Sequence, residues 1–433
     1  MVEQLEIPSV IPQCPKFSPI VNPVQKKMSK SPDPFDLGKA YKHKRKLYEQ
    51  NGMSSSLSAS SMSPYLKKTR EVTMLTQCVF GHQVGGHTPL LRAGESRINK
   101  VACPREIEFY ERLSIRHPEL LKWTPAYYGN TTMPRNELAN MLVNLKSHIS
   151  QLPAVAHAFE KGLKKLSADD AREELIKMIT LEDLTQKFQH PCVLDIKMGT
   201  RQHGIRVSAK KAQSQTQKCQ RTTSSVLGFR FNGMQVYDSC SGTYQSFSKY
   251  WGRELTVAGI LEACRLFLGG GSGGRVNEGK FNEAGHAGLR ADVAAELCAQ
   301  LAELEADLAA APVQLYSASL LVVYEGAPPS AGAGTTGGAP RAVVRVIDFA
   351  HSESRHDHPA VSAADWGAVA PDCGFLFGVR NLAEHFARLA GEDVVAEEGQ
   401  EALPPLPSPM SVGDHQEGFG SGGEEELKGM EGC

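Results

Sequence analysis

At 433 residues, with 47 Lys plus Arg against 48 Asp plus Glu, the chain is long enough for several domains or one two-lobed enzyme with tails, and its global charge gives no argument for nucleic acid or a membrane surface. Hydrophobic residues at 41% support a real core, while 40 glycines and 25 prolines exceed what one compact domain would carry throughout, so part of the chain is expected to be disordered. The ten cysteines are scattered from Cys14 to Cys433 without a CxxC pair or zinc-ligand spacing, which points to reduced thiols. No apolar run approaches the roughly 18 to 20 residues of a membrane span, and the N-terminus lacks a secretory pattern, so a cytoplasmic or nuclear protein is expected.

Residues 1–70 are rich in Pro, Ser and Lys and include the basic run Lys42–Lys46. Such a segment buries too little apolar surface to offset its ordering entropy and reads as a tail; the basic run is an import signal, a docking patch or a solvated charge run. Order is expected from Glu71, where EVTMLTQCVF reads as a strand. Gly85 and Gly86 then mark a turn, Leu90–Leu91 and Ile98–Val101 are short strand candidates, and Pro104 opens a helix with Ile107, Tyr110 and Leu113 at helical spacing. Lys100 falls shortly before Glu106 and Glu108 and reads, alone, as a solvated lysine. Residues 131–170 read as an insertion with helical character, and an apolar run then leads to Glu182, Asp183 and Leu184. That link is either an extended connection between lobes, which in a kinase-like fold offers backbone groups to an adenine ring, or an acidic turn cap.

Val193–Met198 is an expected strand closed by Gly199, with Asp195 and Lys197 on one face because they are two residues apart. The pair reads as a site or as a salt bridge. From Ile196 to Tyr237 there is no Asp or Glu, whereas Lys197, Arg201, Arg206, Lys210, Lys211, Lys218, Arg221 and Arg230 occur there with His203. This one-sign stretch makes a local positive field suited to an anion, or a basic face with no ligand; nucleic acid is disfavoured for want of aromatic interleaving.

GMQVYDS and TYQSFSKYWGREL read as alternating strand and turn, Thr256–Leu268 as an amphipathic helix, and Leu289 to Leu308 as a helix with an apolar stripe. Leu315–Tyr324 and Ala342–Phe349 are apolar enough to be buried strands, separated by an Ala/Gly/Pro linker. Asp348 closes the second of them, where a carboxylate either holds Mg²⁺ against nucleotide phosphates or caps a turn. His351, His356 and His358 follow, as a zinc site or, preferably, a solvated polar loop. A helix with Leu382, Phe386 and Leu389 on one face closes the fold, and residues 391–433 read as an acidic tail.

Together these motifs resemble the inositol polyphosphate kinase family, and most of all its hexakisphosphate kinases. The pattern P-x-x-x-D-x-K-x-G is met by Pro191, Asp195, Lys197 and Gly199, and HQVGGH at 82–87, GMQVY at 233–237, SASLLVVYEG at 317–326, VRVIDFAHS at 344–352 and the closing PDCGFLFG occur in the family's order. The resemblance implies an α+β, two-lobed ATP-grasp-like (protein-kinase-like) fold. An N-terminal lobe with a helical insertion would occupy 71–181, and a C-terminal lobe 182–390, with an inositide-binding segment at 199–225. It further implies that Lys100 contacts ATP phosphates, that Glu182 and Leu184 offer hinge backbone groups to adenine, and that Asp195 holds the ribose. Lys197 would lie between the γ-phosphate and the acceptor, Asp348 would bind Mg²⁺, and Ser319 and His351 would support that site.

The implied reaction is transfer from MgATP to a phosphate of inositol hexakisphosphate, with the 5-position the expected target and Lys197, Arg201, His203, Lys210, Lys211, Lys218, Arg221 and His351 the expected inositide contacts. The acceptor carries roughly −9 to −12 in charge, and its attacking oxygen is already ionised, so the task is electrostatic rather than proton removal. The alternatives are a multikinase acting on ring hydroxyls, disfavoured because Gly85 stands where multikinases more often have alanine, and a catalytically silent inositide-binding regulator. One departure stands out: IRVSAKKAQSQTQK follows TRQHG where relatives usually carry acidic residues, which bears on the inositide pocket.

Overall fold

The computed structural model describes residues 79–149, 160, 175–269, 289–327, 342–357 and 373–391, apart from residues 87, 205, 206 and 240. The expected N-terminal tail, the C-terminal tail beyond Gly391, the Ala/Gly/Pro linker beyond Ala327, the glycine-rich stretch 270–274 and His358 lie outside the described residues. So does the strand expected over 71–80, save Phe80 and Val79, which bridges Leu91.

The first lobe is an antiparallel sheet of β1 (Leu91–Arg92), β2 (Arg97–Val101), β3 (Tyr127–Pro134) and β4 (Leu175–Glu182), in the order β1-β2-β4-β3. β4 alternates as a strand with two packed faces must. Ile176 and Met178 meet Leu138 and Leu142 of helix α2 (Arg135–Ile149), while Ile179 and Leu181 enter the main core. The segment expected to begin as a helical insertion at Thr131 is therefore corrected. Thr131–Pro134 completes β3, and the helix after it roofs the outer face of the sheet. Helix α1 (Pro104–Arg116) starts at its proline as expected and buries Ile107, Tyr110 and Leu113, with Glu106 buried beside them.

The second lobe is built on β5 (Pro191–Met198), β6 (Phe229–Asp238), β7 (Thr243–Phe247), β9 (Ser319–Glu325) and β10 (Ala342–Ile347), with antiparallel order β10-β9-β5-β6-β7. Two short strands, β8 (Val313–Gln314) and β11 (Glu353–Ser354), pair separately. The helices are α3 (Ala209–Gln220), α4 (Ser224–Leu227), α5 (Lys249–Glu254), α6 (Ile260–Leu268), α7 (Ala291–Ala310) and α8 (Cys373–Gly391). The stripe Val293, Leu297, Leu301, Leu304 and Leu308 is buried on α7, which packs along α8.

Three expectations shift. KYWGRE is a helix rather than strand and turn, started by Ser248, whose hydroxyl accepts from Tyr250 N at 3.2 Å. The helix expected from Thr256 begins at Ile260 after a turn closed by Gly259 N on Thr256 O. The strand expected from Leu315 begins at Ser319, because Ser317 has φ 57 and breaks the extended run.

The chain crosses from the first sheet to the second between Glu182 and Pro191. Behind the crossing the lobes share one core: Ile107, Tyr110, Ile179 and Leu181 pack in the same cluster as Leu194, Ile196 and Phe349. Trp123 Nε1 donates to Asp307 on α7 at 2.7 Å, and Lys122 pairs with Glu303 and Asp307. These contacts fix the tilt of one sheet on the other.

Candidate active site

β5 presents two different faces. Cys192, Leu194, Ile196 and Met198 are sealed in the main core, while Val193, Asp195 and Lys197 face the cleft between the sheets. Val193 joins Val84, Leu184, Val323 and Val343 in a small separate apolar cluster. The cleft face therefore reads apolar, carboxylate, ammonium, at steps of about 6.6 Å along the strand.

At the far end of that row Lys197 Nζ donates to Ser317 O at 2.6 Å, Ser319 Oγ at 3.1 Å and Asp348 Oδ2 at 3.2 Å. The other Asp348 oxygen accepts from Lys100 Nζ of β2 at 2.7 Å, and Lys100 also pairs with Glu106 Oε1 of α1 at 2.6 Å. Asp348 thus links the lobes and holds an ammonium from each. Burial works to raise its carboxyl, but Lys100 and Lys197 outweigh that and hold it well below the usual carboxylate range. For Lys100 burial works downward, and Asp348 with Glu106 overcomes it and holds the ammonium above its ordinary value. The Asp348 backbone is left-handed, with φ 71, which Asp tolerates better than most residues. Phe349 anchors the turn by stacking on Phe109 of α1 at 4.2 Å, and Arg105 of the same helix donates to Glu353 at 2.7 Å.

The loop after Val79 lies over the other end of the row. Its shape is set by Gln83, which donates to the carbonyls of Gly85 and Thr88 at 2.8 and 2.9 Å and accepts from Leu90 N at 2.9 Å. His82 Nδ1 meets Gln235 Oε1 of β6 at 2.8 Å. A Cβ on Gly85 would stand 2.0 Å from Asp195 Oδ2, and one on Gly233 would stand 1.8 Å from Val84 O. Two glycines thus let the loop touch the sheet. Beneath it Asp195 is 4% exposed. Its Oδ2 accepts from Asn232 Nδ2 at 2.9 Å and its Oδ1 is buried with no hydrogen-bond partner. Burial pushes this carboxyl above its ordinary value, against the pull of Lys197 and Asn232.

At the crossing, Asp183 Oδ1 accepts from Thr185 N and Oγ1, so this acidic residue does cap the turn, and Leu184 is buried in the cleft cluster. Glu182 ends β4 with its side chain on Ala126 N at 3.3 Å. Ser319 is fully buried, and its hydroxyl takes the ammonium of Lys197. The TRQHG run turns back onto the Asp348 loop: Gly204 packs on His351, while Arg201 donates to His203 O at 3.0 Å and lies over the Tyr316 ring.

The basic set divides. Lys210 and Lys211 stand in the first turn of α3, whereas Lys218 and Arg221 are toward its other end, about 11 to 16 Å away at 1.5 Å per residue. Arg230 does not belong to the surface of this set. It is 4% exposed, donates to Ser224 Oγ at 3.0 Å, and burial pulls its guanidinium down to about 10. Among the described residues no group of three or more His, Cys, Asp or Glu is placed to hold a metal, so the zinc alternative is not supported there; His356 instead packs edge-on to His117. Glu106, Asn232 and the Ser317 carbonyl are site partners that the sequence reading did not assign.

A family model described as inositol polyphosphate kinase matches residues 178–387. Over those residues the chain is similar to the inositol polyphosphate kinase family. It is 27% identical over 428 residues to inositol hexakisphosphate kinase 1 of Mus musculus, covering 72% of this chain and 93% of that protein. It is 28% identical over 426 residues to inositol hexakisphosphate kinase 2 of Homo sapiens, covering 72% and 94%. Among solved structures, an inositol phosphate multikinase from S. cerevisiae in complex with ADP and Mn²⁺ aligns with TM-score 0.45 and 21% identity, over 68% of this chain and 98% of that one. The span matched by the inositol polyphosphate kinase model begins inside β4, so Lys100 and Gly85 precede it, and it is their contacts with Asp348 and Asp195 that tie them to the site.

Proposed function

We propose that the chain transfers the γ-phosphoryl group of ATP to a phosphate of inositol hexakisphosphate, making a diphosphoinositol product. The observation that carries this is Asp348, held between an ammonium from each lobe at the end of the row Val193, Asp195, Lys197. ATP laid along that row meets matching chemistry at each step. The apolar cluster around Leu184 suits the base, the unpartnered Asp195 Oδ1 suits a ribose hydroxyl, and Lys100 and Lys197 suit the phosphates.

Magnesium is commonly held by one or two carboxylates together with substrate phosphates. Asp348, ionised and 31% exposed, fits that role as the protein ligand. When bound, the cation supplies neutralisation of phosphate charge. Lys197, positioned by Ser317 O and Ser319 Oγ, neutralises the group in transit, and Lys100, braced by Glu106, holds the nucleotide phosphates. The acceptor oxygen is already ionised and needs no base.

The inositide belongs near the start of α3. Two lysines in the first turn of a helix oppose its dipole, and an anion seated there reverses that cost. Steady-state release of ADP against a series of inositol phosphates tests the acceptor. The hexakisphosphate is expected to give the highest kcat/KM, and preference for a tris- or tetrakisphosphate would move the assignment to ring-hydroxyl chemistry.

Gly85→Ala is expected to raise KM for ATP about tenfold, as overpacking of one methyl against Asp195 forces the loop or the carboxylate to move. An unchanged KM would show that the loop yields freely.

A further inference from the structure

We infer that Asn232 is a positioning residue for the nucleotide: its amide occupies Asp195 Oδ2, so that only Oδ1 is offered to the ribose. This rests on the assignment of Asp195 to the nucleotide.

The geometry leaves the carboxylate few choices. Asp195 lies on β5 opposite Gly233 of β6, and a register shift in that pair falls between Asp195 and Ile196, beside Asn232. The shift brings the Asn232 side chain to the cleft, where Nδ2 donates to Oδ2 at 2.9 Å. Gly85 closes the same oxygen from above, since a Cβ there would come within 2.0 Å of Oδ2 and 2.9 Å of Asn232 Nδ2. With one oxygen donated to and covered, the buried Oδ1, which has no hydrogen-bond partner, is the acceptor left for an incoming hydroxyl. The Ser319 hydroxyl is close enough to favour the charged carboxylate without reaching hydrogen-bond geometry to it. An amide is suited to this post because it donates without carrying charge. A lysine would neutralise Asp195, and a carboxylate would repel it.

The consequence is a single-oxygen grip on the ribose, with specificity set by which hydroxyl reaches Oδ1. Removing the Asn232 donor frees Oδ2, and the carboxylate can rotate.

The test is the isosteric variant Asn232→Asp, with Asn232→Ala as a second, assayed with ATP, 2′-deoxy-ATP and 3′-deoxy-ATP. Both variants are expected to raise KM for ATP about tenfold, the worth of one hydrogen bond to a charged group, and by more than they lower kcat. They are also expected to narrow the discrimination between ATP and whichever deoxy analogue the wild type rejects. In Asn232→Asp alone, KM relative to wild type should recover as pH falls from 8 to 6, because a proton shared by two adjacent carboxyls restores the donor. A fall in kcat or in melting temperature with KM, discrimination and pH profile all unchanged would overturn the inference and leave Asn232 a packing residue. A wild type that binds no ATP by calorimetry would instead overturn the nucleotide assignment itself.

Discussion

Lys197→Ala is expected to lower phosphoryl transfer by about a thousandfold while changing ATP affinity by no more than a few-fold. The lysine is held by a carbonyl, a hydroxyl and a carboxylate at once, and its side chain is only 14% exposed, so its ammonium is aimed before substrate arrives. A charge fixed in place acts on the transition state without further reorganisation, which is why its removal falls on kcat. The nucleotide would keep Lys100, Asp195 and the apolar cluster. Stopped-flow transfer and calorimetric ATP titration separate the two effects, and a rate within a few-fold of wild type would show that Lys197 is only a structural partner of Asp348.

Asp348→Asn should fail differently. The shape is kept, but the carboxylate that pairs with both lysines is lost, so transfer is expected to fall by about a thousandfold or more and affinity for MgATP by at least about tenfold. Lys100 retains Glu106, whereas Lys197 is left with two neutral acceptors in a poorly solvated position. The melting temperature should drop as well, since the ion pair joining the lobes disappears. The sign of its pH dependence follows from the shifts. The Asp348 carboxyl is depressed, so its contribution is present above the ordinary carboxylate range and is lost only as pH falls through the depressed value. Lys100 is raised, so its contribution is present at neutral pH and is lost only as pH rises through the raised value. The link should therefore be flat from about pH 5 to 9 in the wild type. Retention of MgATP affinity in Asp348→Asn would contradict the phosphate-end assignment.

Elements whose signal is local were legible from the residues. Helix α1, the apolar stripe of α7 and the buried strands β5 and β10 follow from periodicity and from runs that only a sandwiched strand can carry. The cleft face of β5 was legible too, because a period of two puts Asp195 beside Lys197 whatever surrounds them. The single-residue reading of Lys100 as solvated was reversed by a partner 248 residues away. Its nearer partner, Glu106, sits at a buried helix position where spacing alone suggests an exposed acid. The Ser317 carbonyl is backbone and leaves no trace in residue type. Arg230 shows the opposite error, in which a count of charges along the chain included one that the fold buries. The α5 helix was missed because its aromatic residues favour strand, although Ser248 ahead of it was a usable cap signal.

Transfer to a phosphate rather than to a hydroxyl is read directly by phosphorus NMR of the protein incubated with MgATP and inositol hexakisphosphate. A new pair of diphosphate resonances on the inositide is expected as ATP is consumed. No such pair with the hexakisphosphate, together with new monoester resonances when a lower inositol phosphate is supplied, would contradict transfer to a phosphate.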